Sequence, residues 1–180
     1  EQVTDTLTML EERLATGPTR LSVDIETRRY QTACIGIAWS RTDAISIPVM
    51  EVTQARYYWS IDVEVEILDR FRRLITHPNA RVIGQNFHYD TQYFAKELGI
   101  KCIPWFDTMV AQHVLWPGMQ KALHFIASMY CDFYQYWKDD GKEWDNTMPE
   151  EQWWRYNCMD CTYTFEASEH LDTLIDEMNK

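Results

Sequence analysis

Hydrophobic residues recur along the chain at two spacings, one typical of helices and one typical of strands. Leu7, Leu10 and Leu14 lie at helical intervals and predict a leading helix over Thr6–Ala15, which Gly17-Pro18 ends. Runs rich in β-branched residues then predict a meander of three strands, because polar turns separate the runs. The three predicted strands are Leu21–Ile25, Ala33–Trp39 and Ile45–Val49.

The remainder of the chain combines one more strand with several helices. Amphipathic spacing and helix-ending residues such as Gly99 define the helices, and a short apolar run defines the strand. In chain order, the predicted elements are a helix at Ile61–Ile75, a strand at Ala80–Gly84, and helices at Tyr89–Leu98, Thr108–Leu115, Leu123–Tyr130 and Glu150–Glu177. The polar and aromatic stretch from Cys131 to Met148 is predicted to be an ordered loop.

This order of elements favours an α/β fold in one domain. The chain begins with a run of consecutive strands and continues with a strand among helices, an order typical of a mixed sheet of about five strands with helices on its faces. We expect the first strand to lie at the centre of this sheet. A length of 180 residues and a hydrophobic content of 46% suit one domain with a substantial core. We expect residues 1–18 to form a leading helix and linker, and residues 19–180 to form the main domain.

Charge and cysteine content narrow the classes of function. A formal net charge of −11 disfavours binding to nucleic acid through the chain's own charge, but such a charge suits a site that collects cations. No apolar run approaches the ~20 residues that span a bilayer, so we expect no membrane contact. The five cysteines are an odd number, and Cys158 and Cys161 lack the second half of a zinc motif. A reducing cytoplasm is therefore the expected setting.

Two carboxylates end the first predicted strand. Asp24 and Glu26 are two residues apart, so their side chains point to the same face. On a buried strand they would repel each other unless a cation lay between them, which favours a metal site. Asp62 and Glu64 share this spacing, but they lie on a predicted helix, where residues two apart do not share a face. We therefore expect that second pair to be solvated.

A third candidate carboxylate follows the fourth predicted strand. Asn86 and Asp90 are four residues apart where a helix begins, so they can face the same way and bring Asp90 to the strand pair. The alternative is structural: Asn86 caps the helix, and Asp90 interacts favourably with the helix dipole. These residues alone favour neither interpretation.

The last predicted helix carries a phenol and a fourth carboxylate. Tyr156 and Asp160 are four residues apart and hence lie on one face, where both could reach one substrate. This spacing is weak evidence by itself, because two other pairs share it in less regular surroundings. The two pairs are Tyr58/Asp62 and Tyr136/Asp140.

The order of these three motifs is more informative than any one of them. D-x-E at a strand end, N-x-x-x-D at a strand-to-helix turn and Y-x-x-x-D in the last helix resemble the exonuclease motifs of the DEDDy exonucleases, which have an RNase H-like (DnaQ-like) fold. The chain is most similar to the 3′→5′ proofreading domain of family A DNA polymerases, from about Leu21 to Leu174. Agreeing stretches are Phe106–Met109, His113–Pro117, Lys121–Leu123 and Ile126–Ala127, and Lys138–Trp144 looks like an element of bacteriophage versions.

The resemblance implies catalytic roles for Asp24, Glu26, Asp90, Tyr156 and Asp160. Asp24, Glu26 and Asp160 would hold one Mg²⁺ or Mn²⁺, and Asp24 and Asp90 would hold a second, about 3.5–4 Å away. Tyr156 and Glu26 would orient the attacking water. The product would be a nucleoside 5′-monophosphate.

Residues beside the first two motifs are expected to contact the substrate. These residues are Thr27, Tyr30, Asn86, Phe87 and Tyr89. The aromatic residues among them offer faces on which a base can stack. His88 and His113 are expected to be packing or surface residues rather than ligands, because Mg²⁺ prefers oxygen donors.

The implied substrate is a single-stranded or frayed DNA 3′ end, bound by a monomeric protein in the cytoplasm of a bacterial or phage-infected cell. Because the sequence starts at Glu1 rather than at Met, we expect it to be a fragment, with a polymerase domain after Lys180. Two alternatives remain open. One is an RNase D-type RNA 3′ exonuclease, and the other is a catalytically silent module that binds nucleic acid or protein. The four carboxylates and Tyr156 speak against the silent module.

Overall fold

A five-stranded mixed sheet lies at the centre of the computed structural model, which describes residues 1–143 and 148–180. The strands are β1 Thr19–Arg28, β2 Gln31–Ala38, β3 Ala44–Pro48, β4 Met50–Glu51, β5 Arg56–Tyr57, β6 Ala80–Gly84 and β7 Phe106–Asp107. The order in the sheet is β3-β2-β1-β6-β7, and β4 and β5 form a separate pair. β1 is therefore the central strand, as the sequence predicts. It runs antiparallel to β2 and parallel to β6.

Helices cover the sheet, which confirms the predicted α/β fold. They are α1 Gln2–Thr16, α2 Ile61–Ile75, α3 His88–Leu98, α4 Thr108–Leu115, α5 Leu123–Tyr130, α6 Lys138–Glu143 and α7 Glu150–Met178. Five of the predicted helices match within two residues at each end. α1 begins four residues before the predicted Thr6, because Val3 adds one more buried turn. Among the described residues, none of the helices combines the length and the apolar character that crossing a membrane requires.

The prediction of a loop from Cys131 to Met148 is wrong for residues 138–143, which form α6. A helix of six residues with Gly141 in it is too short to show an amphipathic period, so the sequence pattern does not reveal it. Residues 144–147 of this stretch lie outside the described residues. β4, β5 and β7 escaped prediction for the same reason, since two residues cannot show alternation.

Alternation along β1 separates the two faces of the sheet. Leu21, Val23 and Ile25 are buried in the main hydrophobic core, together with Leu10 of α1 and Phe71 of α2. The intervening side chains therefore point to the opposite face, where α7 packs across β1, β2 and β3. Asp24 and Glu26 belong to this second face. The alternation of β1 thus directs both carboxylates toward the last helix.

Gly36 allows α7 to lie close to the sheet. It pairs with Asp24 across the β1–β2 ladder. A Cβ atom at Gly36 would lie 2.5 Å from the Cys161 sulfur and 2.6 Å from the Asn157 side-chain oxygen, both on α7. These distances are well below van der Waals contact. Absence of a side chain at this position is therefore what permits the observed approach of the helix.

We expect Gly36→Ala to destabilise the fold, because the added methyl group must displace α7 or shift β2. Overpacking of this kind typically costs about 1–3 kcal/mol, which chemical denaturation measures. Gly118→Ala is the matched control, since a Cβ at Gly118 meets nothing within 4 Å. Equal unfolding free energies for the two variants would contradict this account of the packing.

Candidate active site

Three of the predicted carboxylates converge between β1 and α7. Asp24 and Glu26 project from β1, and Asp160 projects from α7. Their ligand oxygens all lie within 4.8 Å of one another. Asp160 is buried, whereas Asp24 and Glu26 are partly exposed. The group therefore opens to solvent from the strand side and is closed on the helix side.

Asp90 lies behind this group, in the first turn of α3. It is buried, and its Oδ1 accepts a hydrogen bond from the backbone N–H of Ile25 at 2.9 Å. This bond fixes the carboxylate against the strand that carries Asp24 and Glu26. This geometry favours the interpretation that Asp90 meets Asp24 and Glu26 over the alternative that Asp90 only interacts with the helix dipole. Its second oxygen takes no part in this bond.

Burial and mutual repulsion raise the pKa values of these carboxyl groups. Burial is the largest cause at Asp24, whose pKa is well above its usual range, and the charges of Asp90, Asp160 and Glu26 add to it. Burial raises the pKa of Glu26 to about 8, with Asp160 as the strongest repelling neighbour. Burial raises the pKa of Asp90 to about 7, against the opposing hydrogen bond from Ile25. Such crowding is costly unless positive charge enters the site.

Asn157 holds Asp24 in place. Its side-chain N–H₂ donates to Asp24 Oδ2 at 2.8 Å, and its side-chain oxygen accepts from Ser46 Oγ at 2.8 Å. Asn157 is fully buried between α7 and the sheet. It can reach Asp24 because Gly36, opposite Asp24, leaves room beside its oxygen. The sequence pattern does not reveal this role, although Asn157 lies inside the Tyr156–Asp160 motif.

Lys138 supplies the positive charge nearest to Asp160. Its Nζ lies 2.7 Å from Asp160 Oδ1 and 2.6 Å from Oδ2. Burial lowers the pKa of Lys138, but the Asp160 carboxylate outweighs burial and leaves the net pKa raised. The ammonium therefore stays charged in the absence of any other cation. Lys138 begins α6, and the predicted loop concealed its role.

Trp137 completes the surroundings of Asp160. Its indole Nε1–H donates to Asp160 Oδ1, and the ring is buried. Its ring stacks on that of Tyr163, with centroids 4.2 Å apart. Trp137 therefore makes a polar contact with the site in addition to packing. An indole beside a carboxylate gives no pattern that the sequence could reveal.

Tyr156 lies next to the carboxylate group. Its hydroxyl oxygen accepts a hydrogen bond from Lys138 Nζ at 3.0 Å. Gly141 of α6 packs on the ring, since a Cβ there would lie 2.6 Å from it. Burial raises the pKa of Tyr156, and the Asp160 charge raises it further. The phenol is therefore protonated at neutral pH and can act as a hydrogen-bonding group but not as a base.

The predicted substrate contacts fall into two groups. Thr27 and Tyr89 lie together near the site, with their hydroxyl oxygens 2.9 Å apart. Tyr30 and Asn86 are exposed, and both have a left-handed backbone, with φ of 63° and 54°. Phe87 is buried in the main core, so the prediction that its ring contacts a base is wrong.

Asp107 explains why Phe87 turns inward. Its carboxylate accepts the backbone N–H of Asn86 at 3.2 Å and that of Phe87 at 2.8 Å. The same side chain caps α4 through the N–H groups of Met109 and Val110. It thereby ties the turn before α3 to the start of α4. Phe87 then packs against Phe94 in the core, with ring centroids 6.0 Å apart.

The remaining candidates behave largely as the sequence predicts. His88 and His113 are exposed, and all five cysteines are free thiols. Neither Cys158 nor Cys161 joins a group of candidate metal ligands within the described part of the chain. Glu64 departs from expectation, because it is partly buried and burial raises its pKa, whereas Asp62 is exposed. It lies against the body of the protein at the inner edge of α2.

Solved structures share this fold at low sequence identity. The catalytic core of Rrp6 from Trypanosoma brucei matches with a TM-score of 0.71 and 18% identity, over 98% of this chain and 46% of that one. Escherichia coli RNase D, an exoribonuclease involved in structured RNA processing, matches with a TM-score of 0.69 and 15% identity, over 97% of this chain and 44% of that one. Pol1 from M. smegmatis, solved with DNA primer-template and dNTP, matches with a TM-score of 0.67 and 13% identity, over 96% of this chain and 26% of that one.

The chain therefore spans less than half the length of each of those three solved chains. No curated protein sequence matches it. A family model described as 3′-5′ exonuclease matches residues 2–176, which is nearly the whole chain. The chain therefore belongs to the 3′-5′ exonuclease family of the family A DNA polymerases.

Proposed function

We propose that this domain is a two-metal-ion 3′→5′ exonuclease that releases nucleoside 5′-monophosphates from DNA 3′ ends and proofreads for a DNA polymerase linked after Lys180. The convergence of Asp24, Glu26 and Asp160 within 4.8 Å carries the proposal. Membership of the 3′-5′ exonuclease family supports it. The expected monomeric state and cytoplasmic location are part of the same proposal.

The donor set suits Mg²⁺ or Mn²⁺. All candidate ligand atoms are carboxylate oxygens, which these hard cations prefer over nitrogen and sulfur. Asp24, Glu26 and Asp160 would hold one ion, and Asp24 and Asp90 would hold the other. When bound, the ions would activate a water for attack and stabilise the leaving 3′ oxygen. Their charge would also offset the repulsion that raises the pKa of Asp24.

The chain's own residues place the reacting groups. Asn157 and the Ile25 N–H fix two of the carboxylates before any ligand arrives. The protonated Tyr156 can donate a hydrogen bond that orients the attacking water, together with Glu26. Lys138, now paired with Asp160, lies where it can neutralise a phosphate oxygen once a stronger cation occupies that carboxylate.

RNA trimming is the alternative function. The solved E. coli RNase D has the same fold and is an exoribonuclease. The match to the exonuclease family of the family A DNA polymerases favours DNA. Fold likeness below 20% identity does not separate the two substrates, so the choice rests on direct comparison of cleavage.

We expect a 5′-labelled DNA strand to give a ladder of shortened products in Mg²⁺ or Mn²⁺ and to remain intact in EDTA. A single strand or mismatched end should be cleaved faster than a matched duplex, because the terminal bases must leave the duplex to reach the carboxylates. The measurement is single-turnover cleavage of DNA and RNA strands of the same sequence. Faster cleavage of RNA would favour the RNase D-type alternative, and no cleavage of either would favour a silent module.

We expect Asp24→Ala and Asp160→Ala to lower single-turnover cleavage by roughly a thousandfold, since each removes a ligand and several kcal/mol of charge stabilisation. Asp62→Ala is the control, because Asp62 is exposed and lies outside the carboxylate group. In EDTA, Asp24→Ala should melt at the parental temperature or above, because it relieves repulsion. Full activity in either ligand variant would remove that residue from the site.

We expect Tyr156→Phe to lower kcat by roughly one to three decades, the usual scale for one positioned hydrogen-bonding group. Substrate binding, measured in Ca²⁺, should change little. Tyr136→Phe is the matched control, since Tyr136 is half-exposed and hydrogen-bonds Asp139 instead. If Tyr156→Phe cleaves at the parental rate, the phenol has no part in orienting the water.

A further inference from the structure

A second cluster of potential metal ligands lies outside the proposed nuclease site. Asp132, Glu166 and His170 offer ligand atoms that all lie within 4.8 Å of one another. Glu166 and His170 are four residues apart on α7, so they share one face of the helix. Asp132 approaches from the segment that follows α5. None of these three residues belongs to the exonuclease motifs.

The cluster has an excess of negative charge. Arg41, in the turn between β2 and β3, lies 3.1 Å from Asp132, 3.4 Å from Glu166 and 2.7 Å from Glu169. One guanidinium therefore faces three carboxylates. Its shortest contact is to Glu169, which is not in the ligand set. Glu166 is buried, and its Oε1 also accepts the backbone N–H of Asp132 at 3.0 Å, a neutral donor that adds no positive charge to the cluster.

His170 provides a second and independent indication. Its Nε2 atom is buried and has no hydrogen-bond partner among the described residues. An unpaired buried polar atom costs free energy, and native structures rarely retain one without a reason. His170 offers one of its two ring nitrogens to the cluster, and imidazole nitrogens are common metal ligands. A cation bound there would offset the excess of carboxylate charge.

We propose that Asp132, Glu166 and His170 form a separate binding site for a Zn²⁺-type divalent ion. The imidazole donor favours Zn²⁺ over Mg²⁺, which prefers oxygen ligands. Water or another ligand would complete the coordination, since Zn²⁺ usually takes four. The neighbouring Cys131 thiol donates to the Tyr163 carbonyl oxygen at 3.7 Å and is not part of the set. The ion would fasten the end of α5 to α7.

The competing explanation is an ordinary network of ion pairs around Arg41. In that case Arg41 neutralises the three carboxylates, and no ion binds with defined stoichiometry. The two explanations differ over Glu169 and His170. If the cluster is a metal site, binding of the ion requires His170 and does not require Glu169. If it is an ion-pair network, its stability depends on Glu169 and not on His170.

Zn²⁺ titration by calorimetry tests the proposal in the Asp24→Asn/Asp160→Asn background, which removes ligands of the proposed nuclease site. We expect one Zn²⁺ per chain, and Co²⁺ in its place should give a visible absorption band. His170→Ala and Glu166→Gln should each weaken Zn²⁺ binding by at least about a hundredfold, since even the loss of a residue that only supports a ligand costs 10- to 100-fold. Glu169→Gln is the matched control and should bind as the background does.

Circular dichroism and melting temperature check that each variant folds. Failure of the folded background to bind Zn²⁺ would overturn the proposal. So would binding that survives both His170→Ala and Glu166→Gln, and so would equal weakening by Glu169→Gln, which indicates general electrostatic attraction. The outcome is independent of cleavage, so it leaves the proposed nuclease function untouched.

Discussion

The structure depends on the cost of placing like charges together on a central buried strand. β1 lies in the middle of the sheet, and its alternation sends Asp24 and Glu26 to the face that α7 covers. Burial and the neighbouring carboxylates raise the pKa values of both groups. A fold can retain such a strand only if the neighbouring elements supply donors and positive charge. The surroundings of the site are consistent with this requirement.

Each neighbouring element compensates for one of the carboxylates. α7 brings Asn157 to Asp24, the backbone of β1 donates to Asp90, and α6 brings Lys138 to Asp160. Neutral donors orient a carboxylate but add no charge, and the ammonium of Lys138 pairs with Asp160, one of the four acidic groups. This imbalance favours divalent cations over further protein contacts. In the proposed function, a cation at Asp160 would release Lys138 from this pair to meet a phosphate.

The sequence predicts the carboxylates because secondary-structure periods determine which side chains share a face. The two-residue period of β1 brings Asp24 to Glu26, and the helical period of α7 brings Tyr156 and Asp160 to one side. The role of Asn157 depends on Gly36 standing opposite Asp24, and that register exists only in the folded sheet. Lys138 was missed because α6 is too short to show a period. Proximity to a motif misled the assignment of Phe87, whose direction the Asp107 hydrogen bonds set.

α7 connects the two acidic clusters through its own geometry. Asp160 and Glu166 are six residues apart, or about 9 Å along the helix axis, so the two clusters occupy successive turns of one rigid element. The approach at Gly36 sets how close α7 lies to β1. A cation held by Asp132, Glu166 and His170 would tie α7 to the end of α5 through a contact outside the nuclease site. Because Asp160 and Glu166 belong to the same helix, a contact that fixes the position of α7 at Glu166 would also favour the position that carries Asp160.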